Sequence, residues 1–324
     1  MLTSRALILI LRTFSFLFLS YILFLLLDRY FSLTAPKNTV LKNYWILNKK
    51  ENKFGNAFIG PSRVLNTLDL SAFEKNSNLP PLNLGLSGAA YAEQFLILKM
   101  FIEENKNTCQ NLFIEISYFN LINPDSAFSY PFHEYFYFPY MSKDFVAQTI
   151  KNNSKNKLKS LMWQYVPFIK YAEFNSNFLP LILFTSSFKE GTGDKSFDKY
   201  GSILLNEFMD KNYKIGQYSN PNTDQKNLNY LKGMIELAKK NNIKVTLFTA
   251  PSFTKSFSYS DSAYKNYQNT VYTICQQYSL PYFDFEKSEV CNDINNFSDR
   301  THLNKTGAVK FSKIFCDTLR SLNY

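Results

Sequence analysis

The chain has 324 residues, 45% of them hydrophobic and 19% charged, enough for one sizeable core and unlike a disordered segment. Its formal charge of +10 suits an anionic partner. No Lys or Arg run exceeds two residues and no zinc-finger or RNP-like pattern occurs, so nucleic acid is the weaker reading of that charge.

The first element is an apolar run from Ala6 to Leu27, ALILILRTFSFLFLSYILFLLL, about the length a bilayer core requires. Arg12 interrupts it near one end, where a long side chain reaches the headgroups. A secretory signal and a buried core helix are the other readings. No small-x-small cleavage site follows, since Asp28, Arg29 and Tyr30 come next, so an uncleaved anchor over residues 1–30 is expected. Arg5 and Arg12 at one end, against Asp28 and Arg29 at the other, give an inside-positive bias, which places the remaining chain on the outer face of a single-pass membrane protein.

A polar linker is expected over 31–52, and one domain over 53–324. Asn56–Gly60 reads as a strand and Val64 onward as a helix. Leu82–Leu86 and Leu112–Ser117 read as further strands, with an amphipathic helix over Ala89–Glu103 between them. Later come a helix over Asn227–Asn241, a strand at Lys244–Thr249, a helix over Ala263–Tyr278, a strand at Tyr282–Phe285 and a closing helix over Lys305–Leu322. Strands alternating with helices imply a mostly parallel sheet. From about 118 to 226 this rhythm is lost. That stretch, with YPFHEYFYFPYM, KNNSKNKLKS and an apolar run near Trp163–Phe184, is too long for a simple loop and reads as an insertion bordering the strand ends.

The four cysteines, Cys109, Cys275, Cys291 and Cys316, show no C-x-x-C spacing, which argues against structural zinc and leaves disulfides open. No phosphate-loop, H-E-x-x-H or dinucleotide motif is found, so no cofactor and no metal are expected.

Ser62, in IGPSR, stands directly beyond the first strand and ahead of a helix. A serine there is a turn or cap residue unless a base lies beside it, because its hydroxyl is a weak nucleophile unaided. The chain has two histidines. His302 lies three residues after Asp299 in FSDRTHLNKTG, just before the closing helix. On a loop that spacing lets a carboxylate accept from one imidazole nitrogen and leaves the other for a serine proton. Helix capping is the competing reading of the aspartate, and Asn304 is better placed to cap. His133, in FHEYFYF, sits among aromatics that read as cap packing, or as a surface for a sugar face or lipid.

Gly60-Pro61-Ser62-Arg63 in a first block and Asp299-Arg300-Thr301-His302 in a last one resemble the SGNH (GDSL-like) hydrolase superfamily. Asn83-Leu84-Gly85-Leu86-Ser87-Gly88 resembles that family's second block. The resemblance implies a three-layer α/β/α sandwich with a mostly parallel five-stranded sheet, the SGNH or flavodoxin-like arrangement. Here it would carry an N-terminal transmembrane helix and an aromatic-rich insertion after the third strand. It also implies Ser62 as nucleophile, His302 as base and Asp299 as its orienting acid. Gly88, with Gly85 as second choice, would join the Ser62 N–H in an oxyanion hole. The third block departs from the family pattern, Gly-x-Asn-Asp, whose asparagine side chain is aimed at the oxyanion; IEISYFNLIN offers Asn120 or Asn123 for that place, and no glycine.

Among divergent members the layout is similar to the SGNH proteins of teichoic-acid D-alanylation and of alginate and peptidoglycan O-acetylation. That similarity implies transfer or removal of acyl groups on a cell-envelope glycan, beside a multi-pass membrane acyltransferase. A scaffold that keeps the shell without the chemistry is the alternative.

Overall fold

The computed structural model describes residues 4–37, 41–49, 53–74, 78–105, 109–122, 133–154, 156–173, 197–219 and 222–322. The chain forms two compact units, one of residues 1–44 with 131–188, the other of residues 45–130 with 189–324.

The first unit begins with α1 (Ser4–Thr34), whose Ser4–Lys37 stretch, with the short 3₁₀ turn that ends it, is long and apolar enough to cross a membrane. Its side chains through Leu26 are mostly exposed. The unit also holds a 3₁₀ stretch over His133–Tyr140, then α7 (Asp144–Asn153) and α8 (Lys157–Tyr165). Trp163 is buried there against Phe138, with ring centroids 4.9 Å apart. The expected apolar run to Phe184 lies outside the described residues beyond 173.

The second unit is built on β1 (Phe54–Ile59), β2 (Leu82–Asn83), β3 (Cys109–Glu115), β5 (Lys244–Thr249) and β7 (Tyr282–Asp284). They form one parallel sheet in the order β2-β1-β3-β5-β7. The short α2 (Lys42–Leu47) precedes β1; the helices that follow are α3 (Ser62–Thr67), α4 (Ser71–Glu74), α5 (Tyr91–Glu104), α6 (Tyr118–Ile122), α9 (Gln225–Lys240), α10 (Asp261–Tyr278) and the closing α11 (Lys305–Ser321). A two-stranded parallel ribbon pairs β4 (Gly216–Tyr218) with β6 (Phe257–Tyr259). Nearly every residue of β1, β3 and β5 is buried, the pattern of parallel strands covered on both faces.

On one face Phe58, Phe113 and Phe248 meet Phe315 of α11, at centroid distances of 5.8, 5.5 and 5.2 Å. α11 itself packs beside α3 and α4, while α5 packs with α9. The α/β reading of the sequence holds in element order, with ends moved by at most three residues and the strand Lys244–Thr249 unmoved. β1 and β3 begin two and three residues before the apolar runs suggested. Their N-terminal residues, Phe54 and Cys109, complete the ladder opposite each other. All four cysteines are free thiols.

Candidate active site

Sheet order decides where the chemistry can gather. The chain turns in opposite directions from β1 and β3, and the crevice beyond the carboxyl ends of such a strand pair is the usual ligand site of open α/β sheets. Gly60 leaves β1 where only a glycine fits, since a Cβ there would overlap Val64 Cγ2 and come within 2.8 Å of Glu115 Cβ. Pro61 then accepts at its carbonyl from Val64 N (2.9 Å), and α3 starts with Ser62 half-buried at its first position.

The other half of the site is a closed loop. Phe297 and Leu303 form an antiparallel bridge, and Ser298 N donates to His302 O at 2.9 Å, so residues 298–302 turn back on themselves. Asn304 caps α11 by accepting from Gly307 N (3.0 Å), which leaves the Asp299 carboxylate for the loop. Its Oδ1 accepts from the backbone N–H of Thr301 (2.8 Å) and His302 (2.9 Å) and from Thr301 Oγ1 (3.0 Å). Its Oδ2 lies 2.7 Å from His302 Nδ1, and His302 Nε2 lies 2.7 Å from Ser62 Oγ. Ser62, His302 and Asp299 thus form one hydrogen-bonded relay across 240 residues of sequence.

Burial would raise the Asp299 pKa, but the hydrogen bond and charge of His302, with the two loop N–H donors, hold it well below the usual carboxylate range. An ionised Asp299 accepting at Oδ2 puts the Nδ1 proton on its own side of the ring. The Nε2 lone pair then faces the serine hydroxyl, the arrangement a general base requires.

The oxyanion candidates separate. The Gly85 N–H is spent on Asn83 Oδ1 (2.8 Å), and a Cβ on Gly85 would meet Leu65 N at 2.7 Å, so this glycine serves the packing of α3. Gly88 sits in a turn at φ +67°, half-buried, and no acceptor engages its N–H among the described residues. Its segment is tied to the turn that carries Ser62, because Leu86 N donates to Gly60 O at 3.1 Å. Asn120, on α6, gives an amide hydrogen to Glu115 Oε2 (3.3 Å). Asn123 lies outside the described residues. Of His133 only the backbone is described, in the other unit.

One group escaped the reading of the sequence. Arg63, directly after Ser62, is 4% exposed and points inward. Its Nη2 donates to Ala250 O and to Ser252 Oγ (2.9 Å), and Nη1 lies 3.3 Å from Glu115 Oε1. Glu286 Oε1 is 3.9 Å from Nη2. The guanidinium therefore ties the Ser62 turn to the ends of β3 and β5 and to the segment after β7. Burial pushes the Glu115 carboxyl up to about 7, against the pull of the Arg63 charge. The signal was a glutamate, Glu115, inside the otherwise apolar LFIEI.

A cavity of about 320 Å³ opens on the Asp299 side of the relay. Phe119, Tyr218 and Phe257 wall it, with Asp299, Arg300 and Thr301. The Arg300 guanidinium lies 5.7 Å from the Phe257 ring centroid and donates from Nη1 to Lys214 O (3.1 Å).

No protein-family model matches the chain, and no curated protein matches it. Solved structures do resemble it, two of them as follows. One is an inferred acylhydrolase of Bacteroides fragilis NCTC 9343, 11% identical, with 85% of this chain and 93% of that chain covered at a TM-score of 0.42. The other is a GDSL-like lipase of Bacteroides thetaiotaomicron VPI-5482, 10% identical, with 91% and 99% covered at a TM-score of 0.41.

Proposed function

We propose that this chain is an SGNH-type serine esterase or O-acyltransferase, held to a membrane by α1 with its second unit outside the cell. The observation that carries the chemical part is the relay itself, two contacts of 2.7 Å joining Ser62, His302 and Asp299. Contacts of that length lie within the reach a general base needs. In this reading Ser62 Oγ attacks an acyl carbonyl while His302 Nε2 takes its proton. The Ser62 and Gly88 N–H groups receive the oxyanion, and His302 returns the proton to the leaving oxygen. Water or a glycan hydroxyl then enters by the same route in reverse, releasing the acyl group. The aromatic-walled cavity beside Asp299 offers room for the acceptor, and the positive charge of the chain suits an anionic envelope glycan.

Fluorophosphonate labelling tests this. The wild-type chain is expected to label on Ser62 and to cleave short acyl esters, and Ser62→Ala to do neither. A wild type that neither labels nor cleaves overturns the catalytic reading. The second reading, a scaffold without chemistry, rests on the Asn120 amide engaged by Glu115 and on the missing third-block glycine and aspartate. It expects binding of an acylated glycan, or of a membrane acyltransferase, unchanged by Ser62→Ala.

A further inference from the structure

The face that α8 turns to solvent is apolar. α8 buries Ser160 and Trp163, so the opposite face should be polar in a helix surrounded by water. Instead Leu158 is 70% exposed, Met162 41% and Tyr165 72%. Their i, i+4, i+7 spacing places them in a single stripe, and Val166, 42% exposed, extends it past the helix end. Lys157 and Lys159 lie about 100° to either side of Leu158, and Lys151 is exposed on the neighbouring α7.

The chain just beyond this stripe is fastened to α1. Phe168 stacks on Phe24 at 6.2 Å and meets Phe31 at 5.3 Å. The Phe168 N–H donates to Asp28 Oδ1 (2.9 Å), Lys170 Nζ pairs with Asp28 Oδ1 (2.9 Å), and Tyr171 and Ser32 share a 2.7 Å hydroxyl contact. Residues 168–171 therefore run beside residues 24–32, where the apolar run of α1 ends. The stripe ends at Val166, two residues before this attachment to the end of the apolar run.

We propose that α8 and Val166 form a second, interfacial membrane contact. Leu158, Met162, Tyr165 and Val166 enter the headgroup–acyl boundary beside α1, and Lys151 and Lys157 meet anionic headgroups. This inference rests on the reading of α1 as a membrane span. Continuity with α1 selects the occupant, since the stripe lies where lipid surrounds the helix that anchors its own unit. The ammonium groups on its flanks match an anionic leaflet. An apolar stripe with basic edges is the usual form of an interfacial helix, which sinks about 5–10 Å into the boundary.

The test uses the full chain in vesicles of phosphatidylcholine with phosphatidylglycerol. Cys275 is replaced by serine, leaving Cys109, Cys291 and Cys316, each 7% exposed or less. An NBD dye is attached at L158C, at Y165C or, as reference, at L17C. Quenching is read with lipids carrying a nitroxide at a shallow or a deep acyl position. The expected result is stronger quenching of the 158 and 165 dyes by the shallow nitroxide, and of the 17 dye by the deep one. Neutralising Lys151 or Lys157 should shift docking of the stripe about fivefold each in anionic vesicles, and not in pure phosphatidylcholine. Quenching at 17 with none at 158 and 165 overturns the second contact and leaves the anchor standing. No quenching at any of the three overturns the anchor reading, and this inference with it. Capture of α8 by a protein partner would show as unquenched dyes at 158 and 165 that become shielded from aqueous iodide when that partner is added.

Discussion

At the scale of single residues, the Asp299 carboxylate has two tasks that its two oxygens divide. Oδ1 closes the loop through three donors, while Oδ2 serves His302. Asp299→Asn is expected to keep the loop, because an amide oxygen still accepts from Thr301 and His302. The amide nitrogen would then face Nδ1, favouring the imidazole tautomer with its proton on the wrong side. The turnover number should fall about 10⁴-fold with KM nearly unchanged, as measured by steady-state ester hydrolysis. Because its pKa is depressed, Asp299 contributes stability that is present above the ordinary carboxylate range and lost as pH falls through the folded value. Protonation of Asp299 is therefore not expected to set the acid limit of activity. Gly88 is tested differently. Its positive φ makes Gly88→Ala strained, and moving that turn should lower the turnover number more than it raises KM.

At the scale of elements, the short α3 is held by its second residue. Arg63→Met would leave the buried Glu115 without its counter-charge, at a cost of about 3–5 kcal/mol, read from urea unfolding. Glu115→Gln should be milder, and it also removes a titration. The Glu115 carboxyl titrates near 7 in the folded chain, against about 4.3 in an unfolded one. Between those values the folded state holds the extra proton, so this group's contribution is full below about pH 4 and is lost as pH rises through about 7. Stability measured across that window should fall with rising pH in the wild type and be flatter in Glu115→Gln. An unchanged slope would mean that Glu115 is already ionised against Arg63.

At the scale of the whole molecule, Phe315 stands where the sheet meets its closing helix, touching rings from β1, β3 and β5 and Phe285 at 4.6 Å. Phe315→Ala should cost about 3–5 kcal/mol, measured as a lowered thermal midpoint, without altering the relay residues themselves. The apolar helix α1 gives a prediction of another kind. The full chain should stay with membranes in alkaline carbonate and leave them only in detergent. Deleting α1 is a poorer test, since Phe24, Phe31 and Asp28 would be stripped from Phe168, Tyr171 and Lys170.

Local pattern was enough for the α/β alternation, the apolar first helix and the Asp299–His302 spacing. Each depends on neighbours within a few residues: apolar runs, a cap at Asn304, one turn of loop. By spacing alone Ser62 was legible only as a serine at a strand end, and the family resemblance was what joined it to His302. Tertiary structure set it 2.7 Å from a histidine 240 residues later, because parallel strands bring their carboxyl ends to one edge. The same folding spent Gly85 on Asn83 and Asn120 on Glu115, partners that no spacing rule pairs. Arg63 was invisible for a related reason. A charged residue in a sequence reads as surface, and only the closing of β3, β5 and β7 around it supplies the two carboxylates that let it be buried.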